Sequence, residues 1–410
     1  MATLFPFRAL RPRPETVAQV ASVPYDVLNT AEARALAEGN PLSFLRVSRA
    51  ELELPVDTDP YSDAVYARAA ENYATLTAQA FALDDEPSLY FYRLRMGGHE
   101  QLGLGACYSI DEYDRDLIKK HERTRRDKED DRTRHMAAVG AQTGPVFLTY
   151  RASADVNDIA RRATAGAPAY DFTAADGVQH TVWRVGGADR DALVAAFSRI
   201  DALYIADGHH RAASAARART EVAARGGSSR DLGDGADYRT VLAVAFPHDQ
   251  VQVLAYNRVV KDLAGLTPAA FLAAVSTRFE VAPGPAVPEA PGRFAMFLDG
   301  QWYTLTPRTR PAASDAIASL DVSILQDQIL APLLHIADVR TDKRIDFVGG
   351  ARGTAELERH VRSGAFAVAF SMYPVTVADL MAVSDAGAIM PPKSTWFEPK
   401  LRDGLLIHLI

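Results

Sequence analysis

The chain has 410 residues, 48% of them hydrophobic and 24% charged, with a formal net charge of −7. That length supports a sizeable core and two or three domains, and the composition is that of an ordinary globular protein. The acidic balance argues against a general nucleic-acid binder, which needs a basic surface. The single cysteine, Cys107, leaves no disulfide framework and fits a reducing cytoplasm. Its apolar neighbours make it a buried thiol rather than a nucleophile. No run reaches the ~18 apolar residues of a membrane span. The start, with Pro6, Arg8, Arg11, Pro12, Arg13 and Pro14, has no apolar signal core. A cytoplasmic protein without membrane partners is expected.

Residues 1–30 read as extended, since Pro24 biases Val23 away from helix. Tyr25 and Asp26 either face a site or close a turn, and the structural reading is preferred. Thr30 to Glu38 reads as a helix with Thr30 as N-cap and Gly39-Asn40-Pro41 as its stop. Leu42 to Val47 reads as a short strand. Tyr61 to Ala82 is helical, with Ala64, Val65, Ala69, Tyr73, Leu76 and Ala80 as its apolar stripe. Leu89–Met96 and Gln101–Ile110 flank Gly97-Gly98 as a hairpin.

Asp116 to Val139 is expected to be one helix, yet Lys119 to His135 holds no apolar residue in 17 positions. A helix polar all round is usually a solvated surface laced by charge pairs, and Glu122–Arg126 and Arg123–Asp127 have the i,i+4 spacing for that. The alternative is functional. On one helix His121, Arg125, Lys128, Arg132 and His135 share a face, and such a row can clamp phosphates. Glu122 and Glu129 adjoin it.

Gly144 to Tyr150 reads as a strand, Ala152 to Gln179 as an insertion, and Thr181 to Val185 as a further strand. Leu203-Tyr204-Ile205-Ala206 suits a short buried strand, and Asp207-Gly208 breaks it. From Ala212 the residues are small and mostly good helix formers. Strand, tight turn and helix put Asp207, Gly208, His209, His210 and Arg211 at a helix N-terminus, where free N–H groups and the dipole favour an anion. Gly208 lets the backbone bend close to a ligand. Arg211 adds a planar donor fork. Asp207 either holds a divalent metal or simply caps the helix. No His-x-x-x-His or Glu-x-x-His pair near the turn completes a zinc set.

Arg219 to Arg239, rich in Gly and Ser, reads as a mobile loop or lid. Val241–Phe246 and Val251–Ala255 read as core strands, after which Asn257 and Arg258 either reach the site or end the strand. Leu266–Phe279 reads as a helix, Val281–Gly292 as a linker, and Phe294–Asp299 with Trp302–Leu305 as a hairpin. Helices are expected at Val322–Leu334, Thr354–Ser363 and Pro374–Ala386, with a buried strand at Ala365–Ser371. The closing segment Met390–Lys400 carries Lys393-Ser394-Thr395, but it lacks the glycines of a Walker loop. It either lines a site or is a rigid loop in which Trp396 and Phe397 plug an interface.

Asp207-Gly208-His209-His210-Arg211 after a strand resembles the phosphate-binding turn of the ParB/sulfiredoxin-like superfamily, and in this form it looks most like the free-serine kinases of that superfamily. Over almost its whole length the chain also resembles a bacterial and archaeal group, domain of unknown function family 1015. Val23–Val27, Lys119–His135, Asp207–Arg211 and Met390–Lys400 carry that second resemblance. Together these imply a mixed α/β (α+β) fold with a ParB/sulfiredoxin-like core between family-specific N- and C-terminal elements. The expected domains are an N-terminal α/β segment at 1–99, a phosphate-binding core at 100–260 and a C-terminal α/β segment at 261–410.

The resemblance implies a nucleotide-dependent phosphotransferase acting on a small hydroxyl metabolite, with free L-serine as the implied substrate. ATP or ADP and Mg²⁺ are the implied cofactors. Glu122 is the first choice for the catalytic base, ahead of Asp127 and Glu129. Asp207, His209 and His210 join it as catalytic residues, and Asp207 is the metal ligand. Gly208, His209, His210 and Arg211 hold phosphate, helped by Arg125 and Lys128. The alternatives are a nucleotide-binding sensor without turnover and a phosphoester hydrolase. The expected partners are the nucleotide and a small-molecule substrate, without nucleic acid, and a homodimer is compatible with the chain.

Overall fold

The four apolar residues Leu203 to Ala206 are all buried, as a strand covered on both faces requires. They belong to the strand Leu203–Asp207, which lies near one edge of a nine-stranded sheet. The computed structural model describes residues 2–224, 226, 237–312 and 314–410. The chain divides into two compact units, Met1–Val251 with Pro399–Ile410, and Gln252–Glu398. The expected boundary at 99/100 falls inside a hairpin instead. Leu89–Met96 and His99–Ser109 pair from Met96↔His99 onward, so the first hundred residues share their core with the next hundred and fifty.

In the first unit the strands run in the order Ile118–Lys119, Leu203–Asp207, Val146–Tyr150, Thr240–Pro247, His99–Ser109, Leu89–Met96, Gln179–Val185 and Tyr170–Thr173, with Leu4–Phe5 pairing off His99–Ser109. Parallel pairs (Leu203 with Ile118, Val244 with Phe147) mix with antiparallel ones. This is a mixed α/β sheet. Its core gathers Phe91, Leu104, Tyr108, Leu148, Leu203, Ile205 and Ala243 with the helix residues Ala212 and Ala215. The helix Asp63–Ala80 buries Val65, Ala69, Tyr73, Leu76 and Ala80, the stripe read from its periodicity, while Ala64 is exposed. Cys107 is buried in the hairpin.

Two expectations fail in the first unit for identifiable reasons. Leu42 to Val47 is not a strand. Leu45–Ser48 forms one helical turn, whose Leu45 and Val47 enter two separate apolar clusters. Asp116 to Val139 is not one helix. Ile110–Asp114 is a short helix, Asp116 sits at φ +56, and Ile118–Lys119 pairs in parallel with Leu203–Tyr204. The helix proper is Arg126–Val139, closed by Gly140 at φ +65. With no apolar period to hold a helix through 116–125, burying Ile118 at the sheet edge wins. The row His121, Arg125, Lys128, Arg132, His135 is therefore broken, because its first two members precede the helix. The proposed lid at 219–239 is also shortened. The helix His209–Ala224 takes its first six residues, and most of the remainder, 225 and 227–236, lies outside the described residues.

The second unit holds a six-stranded antiparallel sheet in the order Phe279–Pro283, Gln301–Pro307, Phe294–Leu298, Val368–Ser371, Tyr256–Val260 and Ile345–Gly349. A separate pair joins Gln252–Leu254 to Trp396–Glu398. The expected hairpin at 294–305 is present. The expected helix from Leu266 to Phe279 is Pro268–Ser276, capped by Thr267. Phe279 leaves it to start a strand, which runs to Pro283 into the expected linker. The helix expected at Val322–Leu334 is the short Asp321–Leu325 followed by a wider turn at Gln326–Leu330.

Candidate functional site

The site starts from a break in pairing. Tyr204 and Ile205 pair with Thr149 and Leu148, but the next partner of Phe147 is Asp207, so the strand bulges at Ala206. Bulges re-aim side chains. Gly208 then takes φ +94, a backbone that only glycine adopts freely, and the helix His209–Ala224 begins. Its first hydrogen bond runs from the Ala212 N–H to the Gly208 carbonyl at 3.0 Å. The preceding N–H groups have no acceptor within the helix.

Arg211 departs from expectation. It was read as an open fork for phosphate, yet it is buried, with only 4% of its surface exposed. One Nη donates to the Pro145 carbonyl and the other to Asp207 Oδ2 at 2.9 Å, while Nε has no hydrogen-bond partner among the described residues. A Cβ on Gly208 would meet the guanidinium at 3.0 Å, so glycine leaves room here for Arg211. Burial alone would lower the Arg211 pKa. The carboxylates of Asp207, Asp26 and Asp403 outweigh burial and raise it. Arg211 thus anchors the turn from beneath.

Asp207 is a shared anion. Its Oδ2 meets Arg211 and, at 3.9 Å, the Lys400 ammonium. Burial would push its carboxyl up, but Lys400 and Arg211 together hold it at about 2. It is therefore ionised at any ordinary pH.

The stretch before the charged helix folds onto this turn. The His121 N–H faces His209 Nε2 at 3.4 Å, and the two rings meet edge to face at 4.5 Å between centroids. The Arg125 N–H donates to His210 Nε2 at 3.1 Å. Burial pushes the His121 imidazole down to about 4, against a backbone bond with Ile205 and the field of Asp207. Burial and His121 also push His209 well below its usual value. Both rings are neutral at pH 7. One ligand atom each of His121, Glu122 and His209 lie within 4.8 Å of one another.

Other sequence candidates go elsewhere. The Arg125 guanidinium pairs with Asp127 at 2.7 Å on the surface. Lys128 donates to the Tyr61 hydroxyl at 2.8 Å and lies over its ring. Glu129 is bound by Thr124 and by Arg217 at 3.3 Å, fastening the charged helix to His209–Ala224. Asp127 and Glu129 thereby serve as structural partners, while Glu122 lies beside His121 and His209. His135 is buried and contacts the Val47 carbonyl at 3.0 Å, a packing role. Asn257 and Arg258 lie in the second unit within the six-stranded sheet. There Asn257 accepts from the Met372 N–H at 3.0 Å.

Sequence reasoning passed over several groups that meet at the turn. Tyr25, taken as structural, receives the Arg132 guanidinium on its ring at 4.0 Å. Arg132 also pairs with Asp131 at 2.9 Å, and Asp131 accepts from the Tyr66 hydroxyl at 2.9 Å. Asp403 is buried on the bridge Ser22↔Asp403, its Oδ1 without a hydrogen-bond donor among the described residues and pressed toward Gly144, where a Cβ would collide with it. Burial pushes its carboxyl up to about 7, with Arg211 opposing and Asp26 reinforcing. The only sequence signal was that Val23–Val27 and Met390–Lys400 stood out as motifs. Of the second motif, Ser394, Trp396 and Phe397 pack inside the second unit, where Trp396 lies 5.0 Å from the Tyr256 ring. Lys400 belongs to the first unit and reaches Asp207.

A family model described as "Protein of unknown function (DUF1015)" matches residues 4–323. No curated protein matches the chain. Among solved structures, a free serine kinase in complex with AMP is similar at 12% identity and TM-score 0.36, covering 73% of this chain and 91% of that one. A conserved hypothetical protein from Pyrococcus furiosus is similar at 14% identity and TM-score 0.35, covering 74% and 95%. SbnI with a C-terminal truncation, from Staphylococcus aureus, is similar at 12% identity and TM-score 0.39, covering 74% and 86%. No helix among the described residues is long and apolar enough to cross a membrane.

Proposed function

This chain belongs to the DUF1015 family of proteins of unknown function, and we propose that it is a nucleotide-dependent phosphotransferase acting on a small hydroxyl metabolite. One observation carries the reading. A helix N-terminus, His210 in its first turn and the Glu122 carboxylate beside His209 stand together at a glycine turn. The resemblance of Asp207–Arg211 to the turn of free-serine kinases makes L-serine the first acceptor to try.

The geometry supports these roles. The N–H groups of the first helical turn, which have no acceptor inside the helix, and the His210 side chain hold phosphate oxygens, using backbone dipoles that need no reorganisation. Arg211 keeps the turn in shape rather than touching phosphate. Lys400 adds positive charge at the same point. Glu122, half-buried, takes the proton of the acceptor hydroxyl. Mg²⁺ needs few protein ligands when phosphates supply the rest. Asp207 fits that need, because its carboxylate is ionised and only Oδ2 is held by Arg211 and Lys400. Such an ion would neutralise charge on the transferred group.

The test is a product assay. The full chain is incubated with Mg²⁺, ATP or ADP and a pool of hydroxyl metabolites that includes L-serine, and products are read by mass spectrometry. A phosphorylated metabolite is expected. Glu122→Gln should slow its formation by about 10²–10⁴-fold while nucleotide still binds. Nucleotide binding without product would move the reading to a sensor. Free phosphate without an acceptor would move it to a hydrolase.

A further inference from the structure

The cluster at the turn also has the make-up of a metal centre of a different kind from the Mg²⁺ of a nucleotide complex. His121 and Glu122 are neighbours on the segment that precedes the charged helix, and His209 opens the helix after the turn. One ligand atom from each lies within 4.8 Å of the other two, close enough for a single ion to bind all three. The two rings stand perpendicular, at 89°, and are buried, while Glu122 is half-buried and gives the cluster its open side. Asp207, 30% exposed, adds a second negative charge whose field both rings feel.

We infer that His121, Glu122 and His209 bind one divalent transition-metal ion, of the Zn²⁺, Mn²⁺ or Co²⁺ class, in the absence of nucleotide. The donor set decides the class. Two imidazoles and one carboxylate suit borderline ions, whereas Mg²⁺ and Ca²⁺ prefer oxygen. Three protein ligands leave at least one position for water or a substrate oxygen, as in catalytic rather than structural zinc sites. At 3.4 Å, the contact between the His121 N–H and His209 Nε2 is at the long end of hydrogen bonding, and an ion binding that nitrogen displaces it.

One consequence rests on the phosphotransferase reading. A carboxylate bound to a metal is a weak base, so a filled site and proton abstraction by Glu122 exclude each other. In that case Zn²⁺ inhibits transfer.

The test reads metal and not transfer, so it stands or falls apart from the enzyme assignment. Nucleotide-free, Mg²⁺-free full-length protein is titrated with Zn²⁺ by calorimetry, and Co²⁺ is followed by its visible absorption. One equivalent of Zn²⁺ should bind, and Co²⁺ should give a visible band of low-coordinate nitrogen–oxygen ligation that Zn²⁺ bleaches. His121→Ala and Glu122→Gln should each weaken binding by at least about tenfold. Asp127→Asn, on the surface at the start of the charged helix, should not. The wild-type Co²⁺ spectrum keeps the test decisive if a variant fails to fold. Overturning results are a wild type that takes up no Zn²⁺, a Co²⁺ spectrum of purely aqueous type, or folded variants that bind like wild type.

Discussion

Two buried arginines, one in each unit, show how the same side chain serves opposite ends. Arg211 is 4% exposed and Arg258 is 3% exposed. Both give Nη groups to backbone carbonyls, Arg211 to Pro145, and Arg258 to Tyr256 and, at 3.0 Å, to Lys393. There the likeness ends. Arg211 also grips Asp207 and lies in the field of Asp26 and Asp403, which raises its pKa. Arg258 has no carboxylate partner among the described residues. Burial pushes it down to about 10, and the Phe347 ring, 5.6 Å from the guanidinium, is part of its surroundings. Arg258 is a pin between a strand and the loop at Lys393. Arg211 is one charge in an alternating set, and that set is what shapes the turn. A buried cation marks a candidate site by the anions around it, not by burial.

The comparison can be broken at four points. The largest expected effect is from Arg211→Met, which takes from Asp403 its main cation and leaves Asp207 with Lys400 alone. It should cost about 3–5 kcal/mol in urea unfolding and abolish nucleotide binding. A cost near zero would show that the charges are not coupled.

Asp403 gives the next effect, and its sign is fixed by its raised pKa. The folded carboxyl titrates near 7 and the unfolded one near 3.8. As pH rises from about 4 to 7, the unfolded chain releases its proton first. Wild-type stability then falls by this contribution, which is fully lost above pH 7. Asp403→Asn removes that loss. Its stability relative to wild type should rise across the same window by on the order of 2–4 kcal/mol and stay level above it. A difference that does not change with pH would remove Asp403 from the cluster. Taking the difference cancels the opposite trend of the buried histidines, whose lowered pKa values cost stability as pH falls below about 6.5.

Gly208→Ala should destabilise by about 1–2 kcal/mol through its positive φ. It should also weaken anion binding, because the new methyl pushes on the Arg211 guanidinium. Calorimetry and an ADP titration check the two effects separately. Arg258→Met should be the mildest. It sacrifices bonds to two carbonyls but relieves an unpaired buried charge, for a net change of about 1 kcal/mol or less. Nucleotide affinity should be unchanged. If it cost as much as Arg211→Met, the contrast would collapse.

Much of this was legible in the chain itself. Leu203–Ala206 followed by Asp207-Gly208 announces strand and turn, and Gly97-Gly98 announces the hairpin. Each has an apolar pattern on at least one side of a conformational punctuation mark. The stretch Lys119–Arg125 has neither, so its pairing at Lys119 and its fold onto His209 and His210 depended on tertiary partners that local pattern does not encode. The same holds for Leu42–Val47, where a short apolar run fits helix and strand equally. Glu122 stands out only through the resemblance, and the structure adds that it lies beside His121 and His209. The burial of Arg211 and its bonds to Pro145 and Asp207 were not legible, because residue type reveals a donor fork and not whether its donors are already used. Lys400 and Asp403 were out of reach, being nearly two hundred residues from the turn in sequence.

The phosphotransfer proposed for the site requires the turn at Gly208, with His210, to take nucleotide phosphates. The most direct measurement is calorimetric titration of ATP and ADP, with Mg²⁺, into the wild type and His210→Ala. The account predicts a single nucleotide site in the wild type and at least about tenfold weaker binding in the variant, each 1.4 kcal/mol being a factor of ten, with unfolding curves alike. A wild type that binds neither nucleotide, or a variant that binds both as well as wild type does, would contradict it.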